Sequence, residues 1–553
     1  MGIFIKKPIQ LLLNEAAEEG SGSLRRVLGT WGLIAFGVGV IIGAGLFSIT
    51  GMVSATYTGP AITIAFVIAA IGCGLEGLCY AEFASMIPIS GSAYTYSYAT
   101  MGELVAWIIG WDLVLEYAVA STTVAISWSQ YFLVFLQGLG IHLGPEWTTN
   151  PFDGGIMNLP AAMVVVLMSL LLMRGTKESV WFNNVLVFLK LAVIFAFIVL
   201  GWQYINTEHY TPYIPENTGT MGEFGWSGIL RGAAVAFFAF IGFDMVSTAA
   251  QETRNPQRNM PIGILGSLVI CTILYVLFAH VLTGILHYTD YAGQDGIAPV
   301  ALAISHMGEP NAFGGITPAY PWLNRAVILA ILLGYCSVIL LLLMGQSRIF
   351  MTMSRDGLLP KFFATVHPRT RTPLHNNLTF MVLIAVMAAF IPARVAGEMV
   401  SIGTLFAFLL VCAGVIVVRR TQPDVPRGFR VPWVPFIPIL GILVCLVLML
   451  FLPADTWIRL VIWMLLGLDI YSGYGMRHSA IEPQPSDSEA APRHGQTVLR
   501  TLQFALAALC VITGFWHQQS VGWEADKTLF VVSIVFGLSH VAWITARLAK
   551  SWK

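Results

Sequence analysis

Two glycine-containing interruptions within apolar stretches are the features of this chain best suited to bind a small molecule. The first, Gly37–Phe47, reads GVGVIIGAGLF, and its glycines disfavour a helix because each costs about 1 kcal/mol relative to alanine. A helix that breaks inside a membrane exposes backbone N–H groups, which can bind a carboxylate. The second, Phe237–Asp244, reads FFAFIGFD. Close helix packing through small residues is the alternative, but two breaks five segments apart are typical of a transporter built from two repeats.

Two charged residues lie deep within apolar segments and could carry a proton. Lys190, in VLVFLKLAVIFAF, is far from both ends of its segment, so we expect its ammonium to bind exposed carbonyls of the first interrupted helix rather than to snorkel. Glu116, in WDLVLEYAVAS, is the deep carboxylate expected to pair with it. Asp112 lies one turn earlier on the same face, so either carboxylate could instead be structural. A buried lysine that releases its proton in one state of a transport cycle would couple that cycle to protons.

The remaining deep carboxylates have less definite roles. Glu82 lies near the end of the second segment and predicts a helix-end or gating contact. Asp244 follows the second break and is expected to hold that segment in shape, whereas Glu76 has no evident partner. The seven cysteines fall in apolar segments, without the spacing of metal ligands or a reason for disulfides. No metal and no cofactor is expected.

The composition is that of a polytopic membrane protein. Hydrophobic residues make up 57% of the 553-residue chain and charged residues 10%, against about 25% charged residues in soluble domains. At about 20 residues per span, the sequence predicts fourteen transmembrane helices. They begin near Trp31, Pro60, Leu104, Leu159, Trp181, Gly228, Ile262, Ala326, Asn377, Met399, Pro435, Trp457, Val498 and Thr528. The third is unusually long, and no stretch between segments is long enough for a soluble domain.

The distribution of lysine and arginine predicts the orientation. Most of the 29 basic residues lie in alternate loops, on the same side as both termini, and the positive-inside rule places that side in the cytoplasm. The zero net charge gives no reason to expect nucleic acid binding. We divide the chain into a cytoplasmic N-terminal segment (1–28), a twelve-helix core (29–477), a polar cytoplasmic linker (478–496) and an additional C-terminal helix pair (497–553).

Six sequence features together resemble the amino acid–polyamine–organocation superfamily, and within it bacterial members of the cationic amino acid transporter family. They occur in the family's order and spacing, over roughly residues 24–474. They are IIGAGLF (Ile41–Phe47), CYAEFASMIPISGSAYTY (Cys79–Tyr96), GWDLVLEY (Gly110–Tyr117), the mid-span Lys190, FFAFIGFDMVSTAAQETRNPQRNMPIGI (Phe237–Ile264) and MGQSRIFMTMSRDGLLP (Met344–Pro360).

The resemblance implies an all-α, leucine-transporter-like fold with a 5+5 inverted repeat and discontinuous first and sixth helices. It also implies where an amino acid would bind. The substrate carboxylate would meet the backbone N–H groups of Gly43, Ala44 and Gly45. The substrate ammonium would meet the backbone carbonyls of Ile41, Phe238, Ala239 and Ile241. Lys190 would stand where sodium-coupled relatives bind sodium, so the expected coupling ion is the proton and not sodium.

Two departures from the family pattern bear on the substrate. Ala44 stands where many relatives carry a hydroxyl residue, so a side-chain contact to the carboxylate is lost. Leu342, six residues before Arg348, stands where members that take large cationic substrates tend to have a small residue. We therefore expect small or medium neutral amino acids.

The predicted function is secondary active import of L-amino acids by alternating access, with proton coupling, in the inner membrane of a bacterium. Exchange or uniport without net proton flux and transport of cationic amino acids stay open as alternatives. A non-transporting amino acid sensor is a more distant one, because no soluble output domain is present. An enzyme is not expected, since no intramembrane protease motif is complete: Asp244 lies in GFD and Asp469 in GLD.

Overall fold

The computed structural model describes residues 4–9, 12, 28–87, 92–174, 179–250, 253–292, 298–310, 316–368, 370, 372–480, 491–521 and 527–551. Most of the predicted N-terminal segment (1–28) lies outside these residues. So do residues 88–91 of the motif that runs from Cys79 to Tyr96, and residues 481–490 of the predicted linker.

The described chain is α-helical, with one short hairpin. Its first nine helices are α1 (Thr30–Ile41), α2 (residues 45–58), α3 (Ile62–Met86), α4 (Ser92–Thr100), α5 (Glu103–Gln137), α6 (Leu159–Arg174), α7 (Ser179–Gly201), α8 (Gly225–Ala236) and α9 (Met245–Thr248). The others are α10 (Pro256–Ile285), α11 (Pro299–Ser305), α12 (Pro321–Arg355), α13 (Leu374–Phe390), α14 (Ala393–Thr421), α15 (Phe436–Phe451), α16 (Ala454–His478), α17 (Ala491–Val521) and α18 (Thr528–Ser551). Strands β1 (Gly308–Pro310) and β2 (Ile316–Pro318) pair antiparallel between α11 and α12.

The predicted segments fall on helices, but not every one of these helices is long enough to be a complete span. Each of the fourteen predicted starting points lies in or beside a helix, and the long third segment is confirmed as the 35-residue α5. Within the described residues, however, nine helices are long and apolar enough to cross a membrane by themselves, or up to ten if the bent pair of α15 and α16 is one span. Several predicted spans are short or broken, so the count of fourteen stays a prediction.

The central helices are packed around α5. This helix is buried along most of its length and packs against α12 and α14, while α10 packs along α3 and α1. The outside of the molecule is apolar instead of polar, with large side chains such as Phe188, Val199 and Leu450 more than 60% exposed. An apolar surface of this kind is stable in lipid and not in water.

The C-terminal pair forms a smaller unit beside the core. Helices α17 and α18 pack against each other and against α16, through a separate hydrophobic cluster of Val461, Leu465, Ala507 and Cys510. Polar contacts add to this packing, because Asp469 of α16 accepts a hydrogen bond from Gln503 at 2.9 Å and lies 2.8 Å from the His540 ring.

Candidate functional site

The first helix is interrupted where the glycine motif predicts. The helix α1 ends at Ile41, Ile42 is extended with φ −74° and ψ 106°, and helical structure resumes at Gly45. The N–H groups at the start of a helix have no partner within it. Residues Gly43, Ala44 and Gly45 therefore present the positive end of α2 to whatever lies beside the break.

The sixth predicted helix is interrupted in the same way. After α8, residues Phe237–Phe240 form a single 3₁₀ turn, and Ile241 is extended with φ −57° and ψ 139°. Gly242 has φ +106°, a conformation that residues with a Cβ rarely adopt. Helical structure resumes at α9. The Phe238 carbonyl accepts a 3.2 Å hydrogen bond from the Ile241 N–H across the turn, so the carbonyls at this break are bonded locally and not through a continuous helix.

The two breaks touch each other through glycine. A Cβ on Gly45 would lie 2.3 Å from Cα of Ala239, and a Cβ on Gly242 would lie 2.4 Å from Val40. A Cβ on Gly43 would meet only the Val338 side chain, at an ordinary 3.5 Å. Close helix packing, the alternative considered from the sequence, thus explains Gly45, whereas Gly43 has room beside it.

A small cavity lies between the breaks and the α5 and α12 helices. Its volume is about 20 Å³, close to the space that one water needs. Seven of the eight predicted substrate-binding residues line it. They are Ile41, Gly43, Ala44, Gly45, Phe238, Ile241 and Leu342, joined by Val40, Ala120, Val124 and Val338. None of these lining residues has a charged side chain, so polar recognition there is available from the backbone.

Tyr275 connects the two breaks and was not anticipated from the sequence. Its hydroxyl on α10 lies 3.0 Å from the carbonyl oxygen of Ile41 and 2.7 Å from that of Ala239. Ala239, predicted to bind a substrate ammonium, is not among the cavity-lining residues and uses its carbonyl in this contact. A carbonyl oxygen has two lone pairs, so the carbonyl of Ile41, which does line the cavity, can accept a second hydrogen bond.

Lys190 reaches the first break, as the sequence predicts. Its ammonium donates hydrogen bonds to the carbonyls of Gly39 at 3.0 Å and Ile42 at 3.2 Å, and the residue is 1% exposed. Gly334 of α12 leaves room for the aliphatic part of the side chain, because a Cβ there would lie 2.8 Å from Cε of Lys190. The side chain thus lies between α1, α7 and α12.

The predicted pairing of Glu116 with Lys190 is not formed, and in this respect the sequence interpretation is wrong. Among the described residues, no ion pair joins the two, and both carboxylate oxygens of Glu116 are buried without a hydrogen-bond partner. The next residue, Tyr117, instead donates a 2.5 Å hydrogen bond to Asp244. Glu116 also interacts with Asp244 beside the second break, whereas the Lys190 ammonium is bound at the first.

Asp112, the alternative, is also buried, and both its carboxylate oxygens lack a partner within the described residues. Gly403 of α14 lies beside this carboxylate, because an added Cβ there would lie 3.2 Å from one of its oxygens. The hydrogen bond from Tyr117 to Asp244 ties α5 to the second break. This contact agrees with the expectation that Asp244 holds the second break in shape.

The deep carboxylates of α3 have structural partners. Glu82 accepts two 2.7 Å hydrogen bonds from Arg419, another of 2.8 Å from the Val431 N–H, and lies 3.2 Å from Arg427. It therefore joins the end of α3 to α14 and the following loop. Glu76 accepts hydrogen bonds from the thiols of two cysteines, at 2.8 and 3.2 Å, which supplies the partners that the sequence did not reveal. They are Cys412 and Cys445.

The sequence matches a protein family described as amino acid permeases over residues 28–468. Its relatives include a methylthioribose transporter of Bacillus subtilis (strain 168), 42% identical over 87% of this chain and 99% of that protein. The branched-chain amino acid permease BcaP of the same organism is 43% identical over the same shares. A vacuolar cationic amino acid transporter 4 of Arabidopsis thaliana is 35% identical over 73% of this chain and 65% of that protein.

The fold is similar to that of MhsT, whose structure is known in complex with L-phenylalanine. The two superpose with a TM-score of 0.55 over 77% of this chain and 99% of MhsT, at 15% sequence identity. This similarity and the two interrupted helices confirm the predicted leucine-transporter-like fold.

Proposed function

Since the chain belongs to the amino acid permease family, we propose that it imports small or medium neutral L-amino acids by proton-coupled alternating access. Family membership makes it a multi-pass membrane transporter and not an enzyme. The observation that carries the finer proposal is the cavity between the two breaks, which combines backbone donors and acceptors with an aliphatic wall.

The backbone would recognise the charges common to every amino acid. The N–H groups of Gly43, Ala44 and Gly45 lie at the positive end of α2 and would donate to a substrate carboxylate. Carbonyls that precede the breaks, those of Ile41 and Phe238 among them, would accept from the substrate ammonium. Backbone recognition leaves the substrate side chain to be selected by the rest of the cavity.

The opposite wall favours an apolar side chain. Val338 and Leu342 lie one turn apart on α12, and Ala120 and Val124 lie one turn apart on α5. These residues offer no partner for a guanidinium or an ammonium, and burying such a charge unpaired is costly. The cavity is smaller than an amino acid, so binding requires α12 or α5 to move away from the breaks.

Lys190 would provide the coupling. In its protonated form the ammonium ties α7 to α1 through two carbonyls. A rearrangement that withdraws these carbonyls leaves a buried charge without partners, which favours release of the proton. The ammonium would also supply at this place the positive charge that a sodium ion brings in sodium-coupled transporters. Glu116, buried with unpartnered oxygens, would then act as a separate proton acceptor beside the second break.

The orientation and location are part of the same proposal. Basic residues lie at the ends of α12, α14 and α16, and under the positive-inside rule they support a cytoplasmic location for that end of the molecule. Both termini would then be cytoplasmic, in the inner membrane of a bacterium.

Uptake by reconstituted vesicles tests the proposal. Vesicles with the full chain should accumulate labelled alanine, serine or leucine in a saturable manner when an inward pH gradient is imposed without sodium, and excess arginine should compete poorly. Leu342→Ser should extend uptake to larger side chains while alanine uptake continues, and Leu329→Ser, at an exposed position of the same helix, is the matched control. Preference for arginine or lysine would contradict the side-chain argument, and strict sodium dependence would contradict proton coupling.

Methylthioribose is a second candidate substrate, favoured by the 42% identity to a methylthioribose transporter. It is a neutral thioether sugar, so it would fit the aliphatic wall. It carries no carboxylate or ammonium to bind the backbone N–H groups and carbonyls at the breaks. Unlabelled methylthioribose belongs in the competition panel. Strong competition by it and none by neutral amino acids would replace the amino acid assignment.

A further inference from the structure

A polar cavity lies between α16, α17 and α18, away from the two breaks. Its volume is about 80 Å³, enough for several water molecules or for a group of similar size such as a phosphate. The polar side chains around it come from two helices and include two arginines. They are Ser472 and Arg477 of α16 and Gln496, Arg500 and Gln503 of α17.

The arrangement of α17 explains why these side chains converge. Gln496, Arg500 and Gln503 are spaced by four and three residues, so they lie on one face of the helix. Gln503 is held in place by its hydrogen bond to Asp469. Leu499 of α17 also lines the cavity, and the partly exposed Trp543 and the buried Ile544 complete it on the side of α18.

The chemistry of this cavity fits a phosphodiester with a net negative charge. A guanidinium carries five N–H donors in a planar fork, so an arginine that already has one partner keeps donors for a phosphate. The cavity lies at the end of the molecule where basic residues collect, and Trp543 beside it is a residue type enriched at membrane interfaces. Basic pockets between transmembrane helices are known to bind lipid headgroups.

We propose that the cavity bounded by Arg477, Arg500 and Trp543 binds the headgroup phosphate of an anionic phospholipid. The lipid phosphate would receive hydrogen bonds from the two guanidiniums and from Gln496, and its acyl chains would lie along the apolar outer faces of α17 and α18. The lipid would join the C-terminal helix pair to the core helix α16. This site is independent of the substrate proposed above.

Binding of short-chain lipids to the purified, delipidated full chain in neutral detergent tests this site. The three probes are dioctanoyl phosphatidylglycerol, dioctanoyl phosphatidylcholine and inorganic phosphate. The thermal unfolding midpoint should rise with phosphatidylglycerol more than with phosphatidylcholine, and the difference should shrink at high salt because exposed charges are screened. Equal shifts with the two lipids would overturn the proposal. A shift with inorganic phosphate equal to that with phosphatidylglycerol would assign the cavity to a free anion and overturn the lipid assignment.

Substitutions test which residues of the cavity bind the lipid. Arg477→Gln with Arg500→Gln should weaken phosphatidylglycerol binding by roughly tenfold or more, whereas Arg420→Gln with Arg430→Gln removes two exposed charges elsewhere on the molecule and should leave it unchanged. If the first double variant does not fold, Gln496→Glu at an exposed position adds a repelling charge and should give the same loss. Unchanged lipid selectivity in these cavity variants would contradict the assignment.

Discussion

At the scale of single residues, the two glycines of the first break have different roles although they are two positions apart. An added Cβ at Gly45 overlaps the backbone of Ala239, while one at Gly43 meets only the side chain of Val338. Because the substrate carboxylate is expected from the sequence to meet the N–H groups of both glycines, an alanine at either position would be expected to weaken binding and spare the fold. The structure restricts that expectation to Gly43.

Gly43→Ala should therefore weaken binding without a loss of stability. The new methyl group lies where a substrate carboxylate would approach the N–H groups, so we expect Kd to rise by roughly tenfold or more. Substrate-dependent thermal stabilisation, which follows RT ln(1 + [L]/Kd), is the measurement. Gly74→Ala, where a Cβ meets nothing within 4 Å, is the control. Gly45→Ala should lower the unfolding temperature even without substrate. Full substrate stabilisation in Gly43→Ala would contradict carboxylate binding at this break.

Lys190 allows a test of coupling that separates charge from proton release. Lys190→Met should abolish accumulation driven by a pH gradient, while exchange of bound substrate can persist. Lys190→Arg should fail as well, because arginine does not give up its proton in a protein and Gly334 leaves little additional space. Uptake by reconstituted vesicles with and without the gradient is the measurement, and Lys361→Met, at an exposed position, is the control. Accumulation by Lys190→Met on the gradient would refute the mechanism.

The sequence predicted the residues of the first break well and those around it less well. Glycine within an apolar stretch and a lysine in mid-span violate the ordinary rules of a spanning helix, so they stand out without a structure. Tyr275 violates no rule, because a tyrosine in an apolar segment resembles packing. Its role depends on α10 passing beside both breaks, whose carbonyls are 234 and 36 residues away in sequence. Glu116 was misassigned for the same reason, since depth along a helix does not say which way a side chain faces.

At the scale of helices, the breaks are held by contacts from neighbours instead of by their own sequence. Tyr275→Phe tests this, because it leaves the carbonyls of Ile41 and Ala239 without their shared donor. Unpaired buried acceptors cost about 1–3 kcal/mol, so the unfolding temperature should fall. Phe278→Leu on the same helix, which removes aromatic contacts and no hydrogen bond, is the control for packing. An unfolding temperature equal to that of the unaltered chain would show that the hydroxyl does not stabilise the breaks.

The end of α3 offers a second test at this scale. Glu82 binds two arginines and a backbone N–H, and the Arg427 side chain is 1% exposed. Glu82→Gln removes the carboxylate and leaves a buried guanidinium without its counter-ion. Breaking a buried pair in this way costs about 3–5 kcal/mol. Thermal unfolding should show a large destabilisation, whereas Asp424→Asn, in the exposed part of the same loop, should have little effect. A small effect of Glu82→Gln would mean that the loop is held by other contacts.

Helix positions were predicted with more success than helix number. The apolar periodicity marks where each segment begins, and α5 was recognised as unusually long. Among the described residues, the difference between nine and fourteen spans lies in the short helices α1, α6 and α13 and in the bent pair of α15 and α16. A run of apolar residues is found both in helices that face lipid and in helices buried within protein, so it does not by itself identify a membrane span.

At the scale of the whole molecule, the family match ends at residue 468, before α17 and α18. The structure agrees that the C-terminal pair is peripheral, since it contacts the core mainly at α16 through its own hydrophobic cluster. The cavity between the breaks receives no residue from it. The proposed substrate site therefore lies within the residues up to the end of α16.

A chain that ends at residue 480 should accordingly keep substrate-dependent stabilisation and lose the selectivity for phosphatidylglycerol, because Gln496 and Arg500 are removed. Its unfolding temperature should fall, since Asp469 loses Gln503 and His540 and becomes a carboxylate facing lipid, at a cost of about 2.5–3.5 kcal/mol. Asp469→Leu in the shortened chain should recover part of this loss, whereas the same substitution in the full chain should destabilise it by removing the carboxylate partner of Gln503 and His540. If the shortened chain with Asp469→Leu folds and no longer responds to substrate, the C-terminal pair acts on the transport core, and the division into a core and a peripheral pair is wrong.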